Sequence, residues 1–151
     1  MTENPMASSV DTSRPSSAAT GLRHAALTGY RWLLLAFLLL GAVQIFLAGL
    51  GAFRLDNQDA SADAAFAPHR AVGFALGGVA LVILLLALVA RPGVRAVILS
   101  AVLFLLAFLA QSVLASLADN TALFGGLHAL DGLAILCVAA FLYASACRRR
   151  A

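Results

Sequence analysis

Four apolar runs, each long enough to cross a bilayer, leave this chain very few ways to fold. They cover approximately residues 32–53, 71–90, 96–117 and 123–145. At ~1.5 Å of rise per residue, each gives roughly 30 Å of helix, the thickness of a hydrocarbon core. An open sheet would leave backbone groups unpaired in lipid, and no run alternates with a period of two, so helices are the economical solution. Charged residues make up only 11% of the 151-residue chain, and nothing is left over for a soluble domain. The expectation is an all-α, transmembrane four-helix up-down bundle over residues 23–148. Residues 1–22, rich in Ser, Thr, Ala and Pro, read as a disordered cytoplasmic tail, and residues 149–151 as a basic cytoplasmic end.

The arginines suggest an orientation. There are ten, and no lysine. Arg14, Arg23 and Arg31 precede the first run, Arg91 and Arg95 flank the turn between the second and third, and Arg148, Arg149 and Arg150 follow the fourth. Only Arg54 and Arg70 fall on the other side, beside Asp56, Asp59, Asp63 and Asp119. The positive-inside rule then places both termini in the cytoplasm of a multi-pass protein of a bacterial plasma membrane. The net charge of +3 reports topology, and no nucleic-acid partner is expected. A signal peptide is a competing reading of the first run, but at about 22 residues the run is long for a signal core. Gly21 to Tyr30 reads as a short interfacial helix carrying a solvated His24.

The chain also repeats itself. Gln44-Ile45-Phe46-Leu47-Ala48-Gly49-Leu50 with His69-Arg70-Ala71-Val72-Gly73 is matched by Gln111-Ser112-Val113-Leu114-Ala115-Ser116-Leu117 with His128-Ala129-Leu130-Asp131-Gly132. Both read Gln-x-x-Leu-Ala-x-Leu, then His-x-x-x-Gly. The chain has only three Gln and three His, and two of each fall in register, which marks two copies of one helical hairpin. Two hairpins of equal orientation are related by an axis along the membrane normal, so His69 and His128 are expected at equal depth in the outer leaflet. Each would lie in or just before the first turn of its span. Gln44 and Gln111 would lie roughly 10–14 Å before the outer ends of theirs. In an up-down bundle the second and fourth spans are diagonal, and the small residues near each histidine (Gly73 and Gly77, Gly132) suit the close approach of a helix or a flat ligand.

Two imidazoles facing across a bundle suit a b-type haem with two axial histidines. The candidate ligands are His69 and His128, with Gln44, Gln111 and Asp131 as acceptors for the second ring nitrogen. Arg70 and Arg54 are candidates for pairing with haem propionates. Asp131 within a span must be neutral, close to His128, or paired with Arg70. A redox partner or quinone would follow from electron transfer, and a homo-oligomer is compatible with the glycine-rich faces. Three classes of function stay open. They are a cytochrome-like redox component, a non-catalytic module whose His and Gln only specify helix packing, and a proton or small-solute pathway. No hydrolytic or phosphate-binding motif suggests an enzyme acting alone. Cys137 and Cys147, ten residues apart on one span, cannot join to each other and read as free thiols. Pro68 and Pro92 are expected at helix boundaries.

The run VQIFLAGLGAF, then HRAVGFALGG, AQSVLASL and GLHALDGLAIL, resembles a small bacterial integral membrane family known as domain of unknown function 6220, over Trp32 to Ser145. The layout is also similar to one half of haem A synthase, whose second and fourth helices each supply a haem-ligating histidine. On that resemblance His69 and His128 match the ligand positions, and His69-Arg70 matches a His-Arg pair. Ala65, Phe66 and Ala67 stand where that enzyme carries an acidic residue, its paired extracellular cysteines are absent, and only one half is present. The resemblance therefore implies haem binding without haem A synthesis.

Overall fold

A computed structural model describes residues 17–118 and 120–148 of the chain. Expectations for residues 1–16, Asp119 and residues 149–151 lie outside the described residues. Four helices carry the fold: α1 (Ser17–Asp56), α2 (Ala62–Ala90), α3 (Val94–Ala118) and α4 (Ala122–Arg148). All four are long and apolar enough to cross a membrane. Large apolar side chains lie bare on each of them, among them Phe46, Phe74, Ile98 and Leu133, as expected where lipid covers the outer surface.

The bundle closes because each helix carries an apolar stripe of alternating four- and three-residue steps. In the central cluster the buried residues are Tyr30, Leu34 and Phe37 on α1; Leu76, Ala80, Ile83 and Ala87 on α2; and Ile135, Ala139 and Leu142 on α4. α3 adds Leu103 and the fully buried Ser100. Ser100 donates its hydroxyl to its own helix at Ala96 O (2.8 Å) and meets the Tyr30 hydroxyl at 3.1 Å. This bond pins α1 to α3. Consecutive helices pack side by side and α4 returns to α1, while the diagonal pairs, α1 with α3 and α2 with α4, have no Cα atoms within 8 Å. The buried core lies toward the end that carries the termini. In the last two turns of α3, no residue is fully buried.

Helix limits depart from the hydropathy in instructive ways. α1 starts at Ser17, inside the segment read as tail, and Ala26 and Tyr30 are already buried. Its ordered start follows from this packing, and Gly21 to Tyr30 is continuous with the span, not a separate interfacial helix. His24 is exposed. α2 starts at Ala62, nine residues before the apolar run, because Ser61 caps it: its hydroxyl accepts from Ala64 N, and Asp63 occupies the first turn. Pro68 therefore lies inside α2 and not at its boundary, leaving Ala64 O without the usual helical donor. His69 and His128 are consequently in the second or third turns of their helices, not in or just before the first. Pro92 does sit at a boundary, in the turn where Arg91 and Gly93 adopt positive φ (48° and 118°).

Nothing in the sequence announced the π-helical segment Leu105–Ala110 within α3. Its origin lies in residue counts. Phe37 and Gln44 are seven residues apart, two turns of one helix face, whereas Leu103 and Gln111 are eight apart, one too many. The π segment between them absorbs the extra residue and brings Gln111 back toward the bundle.

Candidate functional site

Each hairpin is held by a reciprocal clamp between a glutamine and a histidine. Gln44 Nε2 donates to the backbone carbonyl of His69 at 2.8 Å, and His69 Nδ1 returns a hydrogen bond to the backbone carbonyl of Gln44 at 3.2 Å. The second hairpin repeats both bonds: Gln111 Nε2 to His128 O at 2.9 Å, and His128 Nδ1 to Gln111 O at 3.2 Å. A carbonyl only accepts, so the proton is on Nδ1 in both rings and Nε2 keeps its lone pair. Gly73, four residues after His69, leaves room for the Gln44 amide, whereas a side chain at the matching Gly132 would make an ordinary contact. A Cβ on Gly73 would lie 3.1 Å from Gln44 Nε2, and one on Gly132 would lie 3.7 Å from Gln111 Nε2. The repeated Gln and His-x-x-x-Gly thus record one piece of geometry, built twice.

The two clamps meet in the middle. The imidazoles of His69 and His128 face each other with ring centroids 6.2 Å apart and planes at 63°. Phe66 sets its edge against His69, at 6.3 Å and 80°. All four repeated polar residues are half-buried, so they lie inside the bundle and not at a solvated rim.

One of the differences between the hairpins bears on the clamps. Asp131 accepts a second hydrogen bond from Gln111 Nε2 at 2.9 Å, whereas Val72 holds the matching place in the first hairpin. There Gln44 Nε2 lies 3.4 Å from His69 Nε2, and Gln44 Oε1 is buried with no hydrogen-bond partner among the described residues. Asp131 was expected to be neutral, close to His128, or paired with Arg70. Its hydrogen bond is to Gln111, and Arg70 turns back along its own helix, with Nη2 at 2.7 Å from Asp63 O and 3.4 Å from Asp63 Oδ1. Of the expected acceptors for the histidine Nδ1 atoms, a Gln carbonyl serves in each hairpin, the backbone one of Gln44 or Gln111, and Asp131 does not. Arg54 is half-buried near the end of α1 and makes no side-chain hydrogen bond among the described residues.

The glycine rows are partly filled by the protein itself. A Cβ on Gly77 would meet Phe108 at 3.0 Å, and Phe108 stacks on Phe104 with centroids 5.6 Å apart. Among the described residues no group of three or more His, Cys, Asp or Glu is placed to hold a metal ion, so any metal here would rest on the histidine pair. Cys137 and Cys147 are free thiols.

No curated protein and no solved structure matches the chain. A family model described as "Family of unknown function (DUF6220)" matches residues 44–118, from the glutamine of the first clamp through the end of α3. On that match, which takes in Gln44, His69, Gly73 and Gln111, this part of the chain is similar to the DUF6220 family of unknown function.

Proposed function

We propose that this multi-pass membrane protein holds one b-type haem between His69 and His128 and passes electrons in the half of the bilayer away from the arginine-rich end. The observation that carries the reading is the separation of the two rings. Two imidazoles that share one metal, each through a ring nitrogen at roughly 2.0–2.1 Å, would lie about 6 Å apart between centroids. The rings are 6.2 Å apart. Both Nδ1 atoms are committed to backbone carbonyls, the arrangement that fixes tautomer and orientation and makes Nε2 a better donor to a metal.

When bound, the haem would supply one-electron chemistry, and the chain would supply everything around it. His69 and His128 would hold the iron, Gln44 and Gln111 would hold their rings, and Asp131 would hold Gln111. Arg54 and Arg70 provide guanidinium groups at the same end for carboxylates. A quinone or a partner oxidoreductase would then be the electron donor or acceptor, and pairing of two copies through apolar faces is compatible with it. The arginine distribution supports a plasma-membrane protein with both termini in the cytoplasm.

A second reading has its own support. The hydrogen bonds account for Gln, His and Gly without any ligand, and Phe108 occupies the space over Gly77, so the repeat can also serve as two inter-helix clamps. The visible absorption spectrum of the purified protein, with and without each histidine, separates the two.

A further inference from the structure

At the opposite end of the bundle from the histidines, Arg31 is a cation with no carboxylate partner among the described residues. Its Nη2 reaches Cys147 Sγ at 3.7 Å, and its Nη1 is buried with no hydrogen-bond partner among the described residues. A guanidinium taken out of water needs compensating negative charge. The described acids, Asp56, Asp59, Asp63 and Asp131, all belong to the other half of the molecule. Arg31 borders a cleft of about 130 Å³ between α1 and α4 that is also lined by Thr28, Trp32 and Tyr143. The cleft therefore presents a guanidinium fork, with a tryptophan and the Tyr143 hydroxyl, itself hydrogen-bonded to Cys147, at its edge. The fork matches the oxygens of a phosphate. Trp and Tyr at the end of a span mark headgroup depth.

We propose that the Arg31 cleft binds a phosphate group, which its depth makes available from the headgroup of an anionic phospholipid in the leaflet on the arginine-rich side. Arg31 is the donor, and its buried Nη1 is the atom left to be satisfied. The site is separate from the histidine pair and stands whether or not haem is bound.

The test uses the full chain purified in mild detergent, with bound molecules counted by native mass spectrometry and affinity followed by thermal stabilisation. The probes are dioleoylphosphatidylglycerol, dioleoylglycerol (the same chains without phosphate) and soluble glycerol 1-phosphate. The wild-type protein is expected to bind phosphatidylglycerol saturably and dioleoylglycerol at least about tenfold more weakly, in line with loss of charge-assisted hydrogen bonds. Arg31→Gln should lower phosphatidylglycerol affinity by about tenfold or more, Arg31→Lys should fall between, and Arg91→Gln, on the same side but in the turn, should stay within about twofold. Stabilisation by glycerol 1-phosphate that is lost in Arg31→Gln would support the site with a soluble anion as its source. Equal binding of phosphatidylglycerol and dioleoylglycerol, or unchanged affinity in folded Arg31→Gln, would overturn the proposal. Should Arg31→Gln fail to fold, the Arg31→Lys value and the comparison of the two lipids decide.

Discussion

His128 faces His69 across a diagonal of the bundle that the backbone does not bridge. Their helices have no Cα atoms within 8 Å of each other, yet the rings are 6.2 Å apart between centroids. The imidazoles thus span the gap at this level. Each is aimed by a backbone carbonyl of the neighbouring helix, so the position of the pair depends on the two glutamine clamps more than on direct packing of α2 against α4.

The clamps are unequal, and their loss should be too. Gln44→Leu removes the donor to His69 O and is expected to cost about 1 kcal/mol, typical of inter-helix hydrogen bonds in membranes. Gln111→Leu also strips Asp131 of its donor, and a part-buried carboxyl left without one adds about 1 kcal/mol or more. Reversible unfolding in mixed micelles would measure both. Equal costs would show that the Gln111 to Asp131 bond contributes nothing.

Glycines in equivalent places of the repeat should also respond differently. Gly73→Ala would press a methyl to 3.1 Å from Gln44 Nε2, where the amide is already bonded, whereas the same change at Gly132 leaves an ordinary 3.7 Å contact. Gly132→Ala should be neutral, or stabilising by up to about 1 kcal/mol through helix propensity. Gly73→Ala should lose that gain and destabilise. Gly51→Ala is the most severe of the three, since its Cβ would lie 2.7 Å from the Phe66 ring and 3.0 Å from the Ala65 carbonyl, with a cost of about 1–3 kcal/mol. Thermal melts of the three variants in one detergent would rank them.

The π segment makes a prediction about length. Deleting Ala107 removes the residue that the segment absorbs, so α3 can become regular with Gln111 still on the inner face. Deleting Val97 instead turns everything before it by about 100° relative to the bundle and dislocates Arg95 from Phe141, over which it sits at 4.8 Å. The first protein should fold and keep its melting temperature within a few degrees. The second should express poorly or melt far lower. The reverse order would remove the account of Gln111 given by the residue count.

Much of this arrangement was legible in the chain, for physical reasons. Lipid tolerates scarce polar residues only where they are used, so Gln44, His69, Gln111 and His128 stood out, and equal orientation of two hairpins brought them together. Hydropathy found the spans but not the helix ends, because it reports bilayer thickness and not where a capping residue such as Ser61 starts the helix. That is why Pro68 was misplaced. The partner that Asp131 takes, Gln111 on the preceding helix, follows from how the two helices pack and is not visible in either one alone. The π segment left no trace in Leu105–Ala110 as residue types. Its signal was the eight-residue interval from Leu103 to Gln111, visible only once the buried positions were known.

The reduced-minus-oxidised absorption spectrum of the full chain, purified in mild detergent from haem-supplied cells, tests the histidine pair most directly. A single α band of the b type in the wild-type protein is expected, absent from both His69→Leu and His128→Leu although each retains its helical circular dichroism. A folded wild-type protein with no such band, or a band that survives loss of either histidine, would contradict a haem shared between them.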